Sequence, residues 1–231
     1  MATHVFLRGS FPREPKRQGS ELKQADKMPS AQPAVSGVIL AGGLSTRFFG
    51  RNKAFLEVGG RRIIDHLYGL FRPMFDEIII VTNHPWLYLE FDAHLASDIF
   101  PVRSSLTGIH AGLFYAGNPF IFAAACDTPF LEEPLVRSIL ARIKPHAGIV
   151  IPETAKGLEP LCAVYAKPCL PVMERRIRSE RFKIQGLFKS LPVVRVPEEE
   201  LREADPDLRS FYNVNTPSDL AKAQSLLDSS V

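Results

Sequence analysis

The chain has only three cysteines, Cys126, Cys162 and Cys169, and no CxxC pair. An odd number without that spacing argues against a disulfide framework or a cysteine zinc site, and it fits a reducing, cytoplasmic setting. No run approaches the roughly 18 apolar residues of a membrane span. The six histidines fall in no metal-ligand pattern. Two familiar phosphate signatures are also missing, the GxxxxGK(S/T) loop and the GxGxxG dinucleotide fingerprint. No Ser/His/Asp or Cys/His constellation suggests nucleophilic catalysis by the protein itself.

Net basic charge is equally scarce once the amino-terminal segment is set aside. Residues 1–35 hold six of the 28 Lys and Arg and three of the 25 Asp and Glu, so the remainder has 22 of each and is formally neutral. No basic stripe interleaved with aromatics stands elsewhere, which argues against nucleic acid as a partner. Residues 1–35 have no helical or strand period, are rich in Pro, Gly, Ser, Lys and Gln, and lack the apolar core of a secretory signal. They are expected to form a disordered extension, a misassigned upstream start or a functional tail being the alternatives.

From Gly37 the pattern changes. Hydrophobic residues make up 45% of the 231, enough for a sizeable core. Short apolar runs read as buried strands: GVILA (37–41), DEIIIVTN (76–83), PFIFAAACD (119–127), AGIVIPET (147–154), LCAVYA (161–166) and VVRVPE (193–198). Between them, helical spacing is read in 61–74, 106–117, 131–144, 169–179 and 184–191, and a closing helix follows Thr216-Pro217. Strands alternating with amphipathic helices predict an α/β fold, a mostly parallel sheet covered on both faces, in one domain over 36–229.

Ligands of such sheets bind beyond the carboxyl ends of the strands. The informative residues are therefore Gly42-Gly43, Thr82-Asn83, Asp127 and the loop FYNVNTP before the last helix. Glycines directly after a strand let backbone N–H groups approach a phosphate, and Arg47 and Lys53 add positive charge at the same edge. A tight strand-to-helix turn would use the same glycines. Asp127 on a rigid strand end suits Mg²⁺, which takes one or two carboxylates and completes its shell with phosphate oxygens and waters. It equally suits a helix cap. Asn213 and Asn215 alternate along an extended segment and suit metal, phosphate or ribose, or simply a capped helix start. The basic run MERRIRSERFK reads as a solvated helix face, with Arg175 and Arg178 as an anion-docking patch the alternative.

Together these stretches resemble the MobA-type molybdenum cofactor guanylyltransferases. Leu40-Ala41-Gly42-Gly43-Leu44-Ser45-Thr46-Arg47, then Lys53, is similar to that family's LAGGxSxRMGxxK signature. The similarity continues through ASDIFPVRSSLTGIHAGL, CDTPFL, LEPLCAVY and FYNVNTPSDL, over about residues 35–228. It departs at Phe48-Phe49, at Asn52 where an acid is usual, and at SLTG in place of a PLAG-like segment. The resemblance implies a Rossmann-like three-layer nucleotidyltransferase (GT-A-like) domain with a mixed sheet. It implies transfer of GMP from Mg·GTP to the terminal phosphate of Mo-molybdopterin, and molybdoenzyme chaperones or other cofactor-biosynthesis proteins as partners. Leu40, Ala41, Gly42 and Gly43 would line the GTP site, with Asn83 and Asp98 also contacting nucleotide. Lys53 matches the phosphate-binding lysine, Asp127 the Mg²⁺ ligand, and Asn213 and Asn215 the asparagines near the reacting phosphates, while Arg47 would assist at the leaving group. The competing expectations are a related enzyme using CTP or a sugar or polyol phosphate, and a nucleotide-binding module without catalysis.

Overall fold

The computed structural model describes residues 33–42 and 52–228. Gly43 and Arg47, and the segment 1–32, lie outside the described residues. Eight strands form one mixed sheet and two more form a hairpin. At its centre is β1 (Val35–Leu40), flanked by β4 (Ile78–Val81) and β6 (Phe120–Ala125), both parallel to it. All three are apolar on both faces, so each reads as a continuous hydrophobic run rather than an alternating one. Beyond β4 lies β5 (His94–Ala96), also parallel. Beyond β6 come β9 (Cys162–Ala166), antiparallel, then β7 (Ile149–Thr154) and β10 (Val193–Pro197); the short β8 (Gly157–Leu158) pairs with β7. The α/β, mostly parallel expectation holds, with β9 and β8 the antiparallel members.

Two apolar layers sandwich the sheet. On one face, Ile39, Ile80, Phe122 and Val150 meet α1 (Ile63–Phe71), α3 (Glu133–Leu140) and α5 (Glu198–Ala204). On the other, Val38, Ile79, Ile121 and Ile149 meet α2 (Ser105–Tyr115) and α4 (Leu170–Arg178). Alternate residues of each strand face opposite layers, as the period of two requires. A third, smaller cluster joins Leu56, Val58 and Val214 to α6 (Pro217–Asp228), which rests on the hairpin β2–β3 (Glu57–Val58, Arg61–Arg62).

Three local readings differ from expectation, each for a physical reason. Residues 184–191 have helical apolar spacing but form only a 3-10 turn, Ile184–Leu187. There the Arg176 guanidinium lies where a Cβ on Gly186 would sit and donates to the Lys183 carbonyl at 3.2 Å. Helix α5 went unread because Leu201 is its single buried residue; Glu198, Glu199 and Glu200 at the positive end of the helix favour it alongside its packing on α3 and β10. Helix α2 starts one residue before the 106–117 reading, at Ser105. Ser104 caps it by accepting from the Thr107 N–H at 3.1 Å, while the Thr107 hydroxyl accepts from the Ser104 N–H at 2.9 Å.

The packing of α2 on β1 depends on one small residue. A Cβ on Gly112 would stand 2.6 Å from Val38 Cγ1 in the core. Gly112→Ala is expected to destabilise by about 1–3 kcal/mol through overpacking, read as a lowered midpoint in urea with an unchanged m value.

Candidate active site

Strand register brings the predicted residues to one edge. Leu40 pairs with Val81 on one side and with Ala125 on the other, and Val81 pairs with Ala96. The next residues leave the sheet side by side: Ala41-Gly42, Thr82-Asn83, Cys126-Asp127 and Ser97-Asp98. Backbone bonds lock these exits, the Ala41 N–H to the Val81 carbonyl at 2.8 Å, Cys126 N–H to Leu40 carbonyl at 3.0 Å, and Thr82 N–H to Ala96 carbonyl at 2.8 Å. The sheet changes winding direction at β1, with β4 to one side and β6 to the other, and a cleft opens there as the rule for doubly wound sheets requires. It is lined by Leu40, Gly42, Lys53, Asp98 and Asp127 together with Asn52, Arg103, Ser104 and Ser105.

Lys53 heads a 3-10 turn, Lys53–Phe55, capped by Asn52, whose Oδ1 accepts from the Ala54 N–H at 3.1 Å. The lysine Nζ donates to Asn215 Oδ1 at 2.7 Å and lies 3.9 Å from Asp127 Oδ2. Both charged side chains keep about a fifth of their surface, 18% for Lys53 and 20% for Asp127, so a ligand in the cleft can reach them. Asn215 is brought here from near the carboxyl end by a backbone clamp, the Val214 N–H donating to the Asp127 carbonyl at 2.8 Å. Asp219 then accepts from the Asn215 and Thr216 N–H groups at 3.1 and 2.8 Å and opens α6, holding its own carboxyl below the usual range by these bonds, that of the Thr216 hydroxyl foremost.

The two asparagines part company. Asn215 joins Lys53, whereas Asn213 is exposed and donates to the Phe211 carbonyl at 3.1 Å. Asn83 donates to Asp98 Oδ2 at 2.9 Å, a pair the sequence did not announce. Ala41 turns its side chain into the core, so only its backbone faces the edge. Several lining residues went unassigned, among them Arg103, Ser104, Cys126 and Leu161. The serine was legible as the cap of Ser-x-x-Thr; the others carry no signature. Burial pushes the Cys126 thiol up to about 12, with the Asp127 charge adding to it, so it stays protonated and is no nucleophile. Away from the cleft, Arg175 and Arg178 are exposed in the last turn of α4, and the Arg178 guanidinium lies 5.6 Å over the Phe100 ring.

Gly42 separates the two uses of a glycine. Among the described residues, a Cβ added there would meet Asn83 Nδ2 at 3.6 Å and the Val81 carbonyl at 3.9 Å, ordinary contacts, and no left-handed backbone is involved. None of these contacts requires the residue to be bare, while its bareness opens the cleft. Two carboxylate oxygens there, Asp98 Oδ1 and Asp127 Oδ1, are buried without a hydrogen-bond partner among the described residues. An unsatisfied buried oxygen is costly, and a hard cation beside Asp127 would satisfy it. No group of three or more metal-ligating side chains stands among the described residues.

A doubly wound sheet whose switch point carries a bare glycine, a lysine and a strand-end aspartate defines a nucleotide-handling enzyme of the nucleotidyltransferase fold. Residues 37–194 match the MobA-like NTP transferase domain family. A molybdenum cofactor guanylyltransferase of Desulfosudis oleivorans is 46% identical over 84% of this chain and 96% of its own length. A probable molybdenum cofactor guanylyltransferase of Natranaerobius thermophilus is 36% identical, over 84% and 96% respectively. Among solved structures, molybdopterin-guanine dinucleotide biosynthesis protein A of Archaeoglobus fulgidus superposes with a TM-score of 0.75 at 29% identity, over 84% of this chain and 99% of that one. The chain belongs to the MobA-like NTP transferase family.

Two outcomes test the site. Gly42→Ala should leave the melting temperature within about 2 °C of wild type while weakening nucleotide binding at least about tenfold, measured by calorimetry. Asp127 offers a pH test. Burial raises its carboxyl above the ordinary range, with the Lys53 charge opposing. A folded value above the unfolded one means that the ionised carboxylate costs the folded apoprotein stability, and the cost grows as pH rises from the unfolded value through the folded one. Asp127→Asn should therefore melt at or above wild type at pH 7, with the difference shrinking towards pH 4, although transfer activity is lost.

Proposed function

We propose that the protein transfers GMP from GTP to the terminal phosphate of Mo-molybdopterin, releasing pyrophosphate and forming the molybdopterin guanine dinucleotide cofactor. The observation that carries this reading is the meeting of Lys53, Asn215 and Asp127 at a glycine-edged cleft, in a chain 46% identical to a named molybdenum cofactor guanylyltransferase. The working domain begins with β1 at Val35, one residue earlier than the 36–229 reading, and the setting is cytoplasmic. Cys126, Cys162 and Cys169 are all free, in keeping with that setting.

The acceptor supplies its own nucleophile. Its phosphate oxygen is anionic near neutral pH and needs no base from the protein. It bonds to the α-phosphorus of GTP while the bond from that phosphorus to the bridging oxygen breaks, and pyrophosphate leaves with the electron pair. Work is left for positioning and charge stabilisation. Lys53, steadied by Asn215, offsets charge growing on the leaving pyrophosphate, and Arg47 assists there. The backbone at Leu40, Ala41, Gly42 and Gly43 lies along the nucleotide, with Asn83 and Asp98 on its far side. Asn213, exposed beside Asn215, meets the substrate from solvent. Asp127 would hold Mg²⁺, which when bound neutralises phosphate charge.

Incubation with Mg²⁺, Mo-loaded molybdopterin and each of GTP, CTP, ATP and UTP is expected to release pyrophosphate with GTP alone. Asp127→Ala should lower that rate by at least about a hundredfold. Release with CTP instead would replace the base, and release only with a sugar phosphate acceptor would replace the second substrate.

A further inference from the structure

Tyr88 ends the 3-10 turn Pro85–Tyr88 and is fully buried, yet it does not line the cleft. Its hydroxyl accepts a hydrogen bond from Asn52 Nδ2 at 2.9 Å. Its ring packs on Phe55 with centroids 5.1 Å apart. Burial pushes the phenol well up, so the group is neutral where it accepts from Asn52.

Asn52 is held at both ends. Its oxygen caps the turn at the Ala54 N–H, and its nitrogen is spent on Tyr88. An amide fixed at both ends has one orientation, and Lys53 is the next residue. A phenylalanine would fill the same apolar space without the cost of burying a hydroxyl.

The geometry points to Tyr88 as a positioning residue, which through Asn52 holds the turn that sets Lys53 on Asn215 and Asp127. This rests on the reading above that Lys53 serves the transfer. Tyr88 itself touches no reacting atom.

The test compares wild type, Tyr88→Phe, Asn52→Ala and the double variant. Pyrophosphate release from Mg·GTP is measured with saturating acceptor, and the ¹⁵Nζ signal of the Lys53 ammonium, assigned with Lys53→Arg, is recorded. Tyr88→Phe should lower kcat about three- to tenfold, the range one hydrogen bond is worth, with KM for GTP within about twofold. The double variant should be no slower than Asn52→Ala, because both remove one tie. The Lys53 signal, sharp in wild type, should broaden or shift in each variant. Asn52→Ala, at a half-buried position, reads the same tie if Tyr88→Phe fails to fold. An unchanged Lys53 signal overturns the assignment whatever the rates. With the signal altered, a kcat within twofold of wild type, or losses that multiply in the double variant, overturns it too. If wild type turns over no nucleotide, the proposed function falls, and the Lys53 signal alone then decides whether the tie exists.

Discussion

The site depends on the register of β1 between its two neighbours. Leu40 is level with Val81 and with Ala125, and the main-chain bonds at Ala41 and Cys126 continue that alignment one residue past the sheet. Side-chain periodicity is two, so a slip of one residue on either side would turn Asp127 or Asn83 away and bury the wrong face of a strand. The apolar layers on both faces penalise such a slip heavily. Core packing therefore fixes the position of polar groups that contribute little to the core themselves.

On that frame the charged groups are arranged at some cost. Asp127 is largely withdrawn from water, with one oxygen lacking a hydrogen-bond partner among the described residues and the lysine at ion-pair distance rather than in a close hydrogen bond. One oxygen of Asp98 likewise lacks a partner among the described residues. Lys53 gives its short contact to a neutral amide, which leaves the carboxylate available. Unsatisfied groups of this kind gather where a ligand is meant to complete the set.

The apolar strands were readable because β1, β4 and β6 are buried on both faces and leave an uninterrupted hydrophobic run. The residues that end them were readable for the same reason, since a polar residue directly after such a run must lie at the sheet edge. Pairings were not readable. Lys53 and Asn215 stand 162 positions apart, and residue type alone did not distinguish Asn215 from Asn213. Helix α5 has too few apolar residues for a period, and the 184–191 segment has the period without the helix because the Arg176 side chain fills its space. Arg103 enters the cleft through the loop ahead of α2, a path that no local pattern encodes.

The clamp from Val214 to Asp127 joins a strand made midway along the chain to a segment made after the whole sheet. During synthesis the sheet can therefore be paired and packed while the lysine still lacks its amide partner and the hairpin β2–β3 still lacks α6. Only when residues 214–228 emerge are both supplied, in one event, by one stretch of chain. In chain order, the pieces that build the sheet thus precede the pieces that complete its edge.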